Sequence, residues 1–242
     1  MTARPADHSY LFDRSPQGGL RLSVAGATVV LRAAGALWIE THAALIVADL
    51  HLEKGSFFAA RGQMLPPYDT SDTLGRLEAE VAALAPRLIV LLGDSFHDSA
   101  GQARLSLDSA ARLRALAAGR EMVWIVGNHD RRGLDGVPGR TATSLFLAGL
   151  VLVHEPAGAP VAAEVAGHLH PCARVAGASA SVRRRCFVTD GERLILPAFG
   201  AYAGGLNVRD AAFAGLFNRR PLTAALGAAR VHAVGWRSLR GD

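Results

Sequence analysis

"LIVLLGDSFHD", residues 88–98, carries the main clue to the architecture. Five consecutive apolar residues closed by a glycine make a run too short for a helix. It reads as a buried strand. The strand then delivers Asp94, His97 and Asp98 beyond its end. A buried strand that finishes in carboxylates and an imidazole is either a capped turn or one wall of a polar site. What separates these readings is whether other apolar runs end in the same way.

They do. "ALIVADLH" ends in Asp49 and His51, and "MVWIVGNHD" in Asn128, His129 and Asp130. "GLVLVH" ends in His154, and "AAEVAGHLH" in His168 and His170. Open α/β sheets gather ligand sites beyond the carboxyl ends of their strands, so these side chains are expected in one region. Asp49 and His51 are two apart, as are His168 and His170, and in extended backbone each pair projects to one side. The glycines at 93, 127 and 167 let the chain turn sharply and carry the next side chain toward a bound ion.

Asp49, His51, Asp94, Asn128, His154, His168 and His170 offer imidazoles, carboxylates and one amide oxygen, without a thiolate. That is too many donors for one ion and suits two. The donor types favour manganese, iron or zinc over calcium or magnesium. Two such ions, roughly 3.5–4 Å apart, clamp a phosphoryl group for in-line displacement, and a protonated side chain is then useful on the leaving-group side. Singly, each motif has a plainer explanation, because Gly-Asp makes turns and Asn-His caps them. Five in succession, D-x-H, G-D, G-N-H-D, H and G-H-x-H, favour the metal.

Further strands are expected in "ATVVLRA" and "ALWIET". "LPPYDTSDTLGRLEAEVAALAP" reads as a turn and then a helix, capped by Asp69, Ser71 or Asp72 and closed by Pro86. Leu74, Leu77, Val81 and Leu84 fall on one face of it. "SLDSAARLRALAAG" is a second helix, stopped at Gly119, and the tail is hairpin material with an Asp-Gly turn at 190–191. Strands alternating with helices, then mostly strands, predict one α/β domain over 1–242 with a layered sheet core.

The 242 residues are half hydrophobic, which excludes a disordered chain. No apolar stretch is long enough for a membrane helix, and the N-terminus does not read as a secretory signal. A cytoplasmic protein without a membrane partner is expected. Two cysteines, Cys172 and Cys186, argue for packed thiols and against a disulfide scaffold. The net charge of +5 comes almost wholly from arginine, Lys54 being the single lysine, and selects no partner by itself.

The ordered motif set resembles the calcineurin-like metallophosphoesterase superfamily across residues 45–170. The resemblance implies a β-sandwich of two mixed sheets flanked by α-helices, with the metals at the carboxyl ends of strands. It gives Asp49, His51 and His170 to one ion and Asn128, His154 and His168 to the other, with Asp94 bridging. His129 matches the acid that protonates the leaving oxygen. Protein phosphatases of the superfamily carry G-D-x-x-D-R-G, whereas this chain has "GDSFHD". His97 at that place is similar to the double-strand-break repair nucleases, where it assists phosphate chemistry. "ADLHLEKG", "LPPYDT", "LGDSFHD", "GHLHP", "RRRCF" and "PAFGAYAGGLNV" resemble the bacterial ligase-associated DNA-damage-response endonucleases, across residues 48–208.

That likeness, and not the spacing, implies DNA as the substrate, two manganese ions, and a DNA ligase and helicase of the same repair pathway as partners. No segment reads as an extra domain for gripping a duplex end, so single strands are favoured. The alternatives are a phosphodiesterase for a nucleotide or other small phosphoester, and a non-catalytic scaffold. Outside the donor set, Asp98 either orients His97 or a ligand histidine, or closes a turn. Lys54, Arg61, Arg131 and Arg132 are expected in loops within reach of a DNA backbone, although each alone reads as a solvated charge. Tyr68 and Tyr202 can stack on bases, Phe57 and Phe58 read as packing, Arg183–Arg185 as a solvated run, and Glu53 and His42 as without a role.

Overall fold

In a computed structural model, residues 13–15, 17–130, 134–177 and 180–242 are described. The first sheet runs in chain order: β1 (Asp13–Arg14), β2 (Leu20–Val24), β3 (Ala27–Leu31), β4 (Leu37–Ile39), β5 (Ala44–Ala48), β6 (Leu88–Leu92), β7 (Glu121–Ile125) and β8 (Arg140–Ala142). Neighbours are antiparallel up to β5, and β5 to β8 are parallel. The change of direction follows from the connections. Tight turns join the early strands, while helices α1 (Lys54–Ala59) and α2 (Asp69–Leu84) carry the chain back between β5 and β6. Helices α3 (Gly101–Arg104) and α4 (Leu107–Ala117) do the same between β6 and β7.

The second sheet holds β9 (Ser144–Leu147), β10 (Leu150–Val153), β11 (Glu164–Ala166), β12 (Cys172–Ala176), β13 (Ser181–Thr189), β14 (Arg193–Ile195), β15 (Leu222–Leu226), β16 (Val231–Val234) and β17 (Leu239–Arg240). Its path is β16-β15-β13-β14-β11-β10-β9, with β12 beside β13 and β17 beside β12. It is mixed, since β10, β11 and β14 are parallel while the hairpins are antiparallel. Two mixed sheets with helices packed alongside are the architecture that the motif resemblance implied.

Strand periodicity of two explains why β5 and β6, and β7 beyond Glu121, are apolar throughout. Ala44, Ile46 and Ala48 of β5, Val90 and Leu92 of β6, and Val123 and Ile125 of β7 point into one core with Leu152, Val165, Phe187 and Leu194 of the second sheet. The alternate residues Leu45, Val47, Ile89, Leu91, Met122 and Trp124 pack on Leu74, Leu77 and Val81 of α2 and Leu113 and Leu116 of α4. Removing one such side chain, for example Leu91→Ala, costs about 2–5 kcal/mol through lost transfer energy and a cavity.

The expected helices form, with differences at their ends. Ser106 caps α4 by accepting from Ser109 N at 3.0 Å. For α2 the position before the helix is Tyr68, with no side-chain cap, because the Asp69 carboxylate is drawn away to Gly55 N (3.1 Å). Ala85, left-handed at φ 46°, ends that helix before Pro86. The Asp190–Gly191 turn is real: Asp190 Oδ1 accepts from Glu192 N and Arg193 N, both at 3.0 Å, and joins β13 to β14. Lys54 does not sit in a loop; it opens α1, a helix too short for periodicity to reveal. No helix among the described residues is long and apolar enough to cross a membrane.

Candidate metal centre

Five strands, β5, β6, β7, β10 and β11, end at the same edge of the sandwich and bring the donors together. Asp49, His51 and His170 form one group whose ligand atoms lie within 4.8 Å of one another, and Asp94, His154 and His168 form a second. In the first, His170 Nε2 stands 3.2 Å from His51 Nε2 and 3.3 Å from Asp49 Oδ1. In the second, His154 Nε2 stands 3.4 Å from Asp94 Oδ1 and 3.2 Å from His168 Nδ1. Asn128 joins that group, its Oδ1 2.8 Å from His154 Nε2. Two bonds of about 2.1 Å meeting at 90–109° put their donor atoms about 3.0–3.4 Å apart, so the histidine and carboxylate separations fit edges of coordination polyhedra, with Asn128 slightly closer. The groups adjoin, with His154 Nδ1 3.7 Å from Asp49 Oδ1.

Charge and protonation suit metal binding. Asp49 and Asp94 are buried, so their charge favours a cation over water. His154 Nδ1 faces the Leu92 carbonyl at 3.3 Å; donating there leaves Nε2 as a lone pair toward the other donors. Burial, then the neighbouring His170, His129, His97 and Lys54, push His51 down to about 2, so it is neutral and ready to coordinate.

The backbone reaches this geometry differently from the extended-pair expectation. Asp49 (φ 53°), His51 (φ 46°), Asp94 (φ 45°), His168 (φ 69°) and His170 (φ 46°) are all left-handed. For residues other than glycine this conformation is disfavoured by about 1–3 kcal/mol each, and it collects at functional sites. Two loops share the strain by pairing beyond their strands, with His51 N donating to Asp94 O (2.9 Å) and Leu52 N to Ser95 O (2.9 Å).

Of the glycines expected to make sharp turns, Gly93 does so, left-handed at φ 75°, and a Cβ there would also stand 2.1 Å from His154 Nδ1. Similar contacts with Asp94 and Asp49 exclude one at Gly127 and Gly167. They make room for ligands arriving from other strands.

Asp130, the last residue of "GNHD", is a clamp that the motif alone did not disclose. Its buried carboxylate accepts from Ser95 N, Phe96 N and Gly127 N at 3.0–3.2 Å and holds the β6 and β7 loops together. Burial raises its pKa against those hydrogen bonds.

His129 lies beside the second group, its Nε2 3.8 Å from Asp94 Oδ2. Its Nδ1 donates to the His97 carbonyl at 2.7 Å, which directs Nε2 to the site. The His97 ring stands 5.9 Å from that of His129. Burial, then Lys54 and His129, press its pKa down to about 4.

Asp98 orients neither histidine. It pairs with Arg104 (Nη2–Oδ1 2.5 Å), which also reaches Ser56 Oγ (2.9 Å). Glu53 does have a role: it is buried, left-handed at φ 64°, and accepts from Ser56 Oγ (2.7 Å) and Thr70 Oγ1 (2.9 Å). This network fixes α1 against the His51 and His97 loops. Phe57 then packs edge-on to His97, 4.6 Å between centroids, with Arg61 over its other face at 3.5 Å. Lys54 Nζ donates to Tyr202 O at 3.0 Å. Arg183 and Arg184 are exposed, but Arg185 turns inward. Arg131 and Arg132 lie outside the described residues.

Paired donor groups at converging strand ends of a two-sheet sandwich define a class, the metallophosphoesterases, hydrolases of phosphoesters that work with metal ions. The family model described as calcineurin-like phosphoesterase matches residues 43–191, and the chain belongs to that family. Among solved structures it is similar to Pseudomonas putida nuclease MPE, at 25% identity and TM-score 0.68, covering 89% of this chain and 100% of that one. Yfce, a phosphoesterase from E. coli, superposes less closely, at 17% identity and TM-score 0.37 over 79% of this chain and 97% of that one. No curated protein sequence matches the chain.

Proposed function

We propose that the protein is a binuclear-metal phosphodiesterase that cuts DNA internally, with single strands as its substrate and DNA repair as its setting. Asp49, His51 and His170 would hold one ion and Asn128, His154 and His168 the other, with Asp94 available to both. Manganese is the proposed ion. The observation that carries this reading is the pair of donor groups, spaced as coordination edges, with an imidazole beside them. The similarity to a nuclease over 89% of the chain supports nucleic acid as the substrate class.

Bound ions would activate water and offset charge on the phosphate. The rest falls to the chain. With Nδ1–H committed to the His97 carbonyl, a proton taken up by His129 resides on Nε2, facing the site. From there it passes to the departing oxygen, as general acid catalysis requires. His97, neutral at physiological pH, positions a phosphate oxygen by hydrogen bonding and supplies no proton of its own. Asp130 and the Arg104–Asp98 pair keep the loops in register. Association with a DNA ligase and helicase belongs to the same reading.

The test is cleavage of circular single-stranded DNA, duplex DNA, a nitrophenyl phosphodiester and the matching monoester across a panel of divalent metals. Manganese-dependent nicking of the single-stranded circle is expected, lost in Asp94→Asn and reduced about 10²–10⁴-fold in His129→Ala. Nicking that survives both substitutions overturns the assignment. Hydrolysis of the small diester alone would move the substrate to a nucleotide or similar phosphoester.

A further inference from the structure

The loop from Ala198 to Ala203 runs along the end of β5, with Phe199 N donating to Ala48 O (2.7 Å) and Gly200 N to Asp49 O (3.1 Å). It therefore borders the Asp49–His51–His170 group. Three cations converge on its carbonyls. Lys54 Nζ donates to Tyr202 O at 3.0 Å, Arg76 Nη2 to Phe199 O, and Arg185 to Ala198 O (3.0 Å), Ala201 O (2.9 Å) and Ala203 O (3.3 Å). Among the described residues none of the three has a carboxylate within 4 Å. The nearest acids, Asp69 and Asp72, act only through space, and Asp69 is already engaged by Gly55 N.

Neutral carbonyls satisfy hydrogen bonds but leave the charge standing. Burial, together with Arg185, lowers Lys54 and takes Arg76 to about 10, and burial lowers Arg185 as well; at about 10 the Arg76 guanidinium stays cationic near neutral pH. Spare donors remain as well, because Lys54 uses one of three N–H groups and Arg76 Nε is buried without a partner. Uncompensated like charges held together beside a metal centre create a positive well that an anion fills. Tyr202 stands beside it, with Tyr68, 63% exposed, as its neighbour, and aromatic side chains of this kind can stack on bases.

We infer that Lys54, Arg76 and Arg185 form a second phosphate subsite, which takes a neighbouring phosphodiester of the strand being cut on the Asp49 side. This rests on the nuclease reading above and adds the direction in which the strand leaves the metal centre. It also separates polymeric from small substrates, since a molecule with one phosphate cannot occupy both places.

Lys54→Gln tests it, because glutamine keeps an N–H for the Tyr202 carbonyl while removing the charge. Binding of a fluorescent oligothymidylate is followed by anisotropy in chelator over a salt series. kcat/KM with manganese is then compared for that oligonucleotide and for a dinucleotide with a single phosphodiester. The wild type should prefer the longer substrate. Lys54→Gln should weaken binding and reduce that preference about tenfold, and flatten the salt slope by about 0.7, one single-strand phosphate contact. Lys54→Arg should restore both. Tyr68→Glu, which leaves the loop contacts untouched, should weaken oligonucleotide binding several-fold by repulsion. Wild-type slope and preference in Lys54→Gln and Tyr68→Glu would mean that the cations only staple the loop, and the subsite falls. A wild type that hydrolyses the dinucleotide but neither binds nor cuts the oligonucleotide removes the nuclease reading, and the subsite with it.

Discussion

Gly127→Ala concentrates the reasoning on one methyl group. A Cβ at Gly127 would stand 2.2 Å from Asp94 N and 2.3 Å from Asp94 Oδ1. Ordinary van der Waals contact begins near 3.4 Å, so the carboxylate would have to move by about 1.1 Å and the β7 loop by about 1.2 Å. The backbone nitrogen of Asp94 has little freedom to yield. Its loop is tied to Asp130 through Ser95 N and Phe96 N, and Asp94 Oδ1 itself accepts from His129 N at 3.0 Å. The shift therefore falls on the donor set and on the proposed acid together. Misplacement of about 1 Å costs roughly 10²-fold in rate, and overpacking adds about 1–3 kcal/mol of destabilisation. The assay pairs metal stoichiometry of purified protein with phosphodiester hydrolysis. Gly158→Ala, where an added Cβ meets nothing within 4 Å, is the control. Gly127→Ala should lose at least one ion and about 10²-fold in activity while Gly158→Ala keeps both. Full metal content and undiminished turnover in Gly127→Ala would refute the close-approach argument.

Glu164→Ala should destabilise the fold by about 3–5 kcal/mol in urea unfolding. It strands the buried Arg193, whose Nε lies 2.8 Å from Glu164 Oε1, with only the Leu216, Ala157 and Ala159 carbonyls as partners. A change under about 1 kcal/mol, the range of surface pairs, would show that the pair is not needed. Metal-free protein should weaken in acid for a reason of definite sign. His51 and His97 have folded values near 2 and 4 against an ordinary 6.5, so unfolding takes up protons below 6.5. Their stabilisation is complete above about 6.5 and is lost as pH falls toward the folded values, at up to about 1.4 kcal/mol per pH unit for His51. Urea midpoints of the wild type between pH 7 and 4.5 should fall more steeply than those of His51→Gln, and parallel curves would contradict this.

Much of the centre was legible because a strand buried on both faces writes itself as an uninterrupted apolar run, and donor chemistry is a property of residue type. The five runs, the donors that follow them and the two longer helices could therefore be read one segment at a time. What escaped depended on distant segments lying side by side. Asp98 turns to Arg104 and not to a histidine because α3 folds back toward α1, and Asp69 abandons the α2 cap because Gly55 presents an N–H there. Lys54, read as a surface charge, is one of three cations meeting one loop, and it and Arg76 come from far away along the chain.

The candidate donors, their order and the strands that carry them can be read from the chain, since hydrophobic period and ligand type are local. That those donors stand about 3 Å apart on left-handed backbone, that three glycines leave space for them, and which charges lack a carboxylate partner emerge only on folding. Distances and charge balance arise between segments, and no segment encodes them alone.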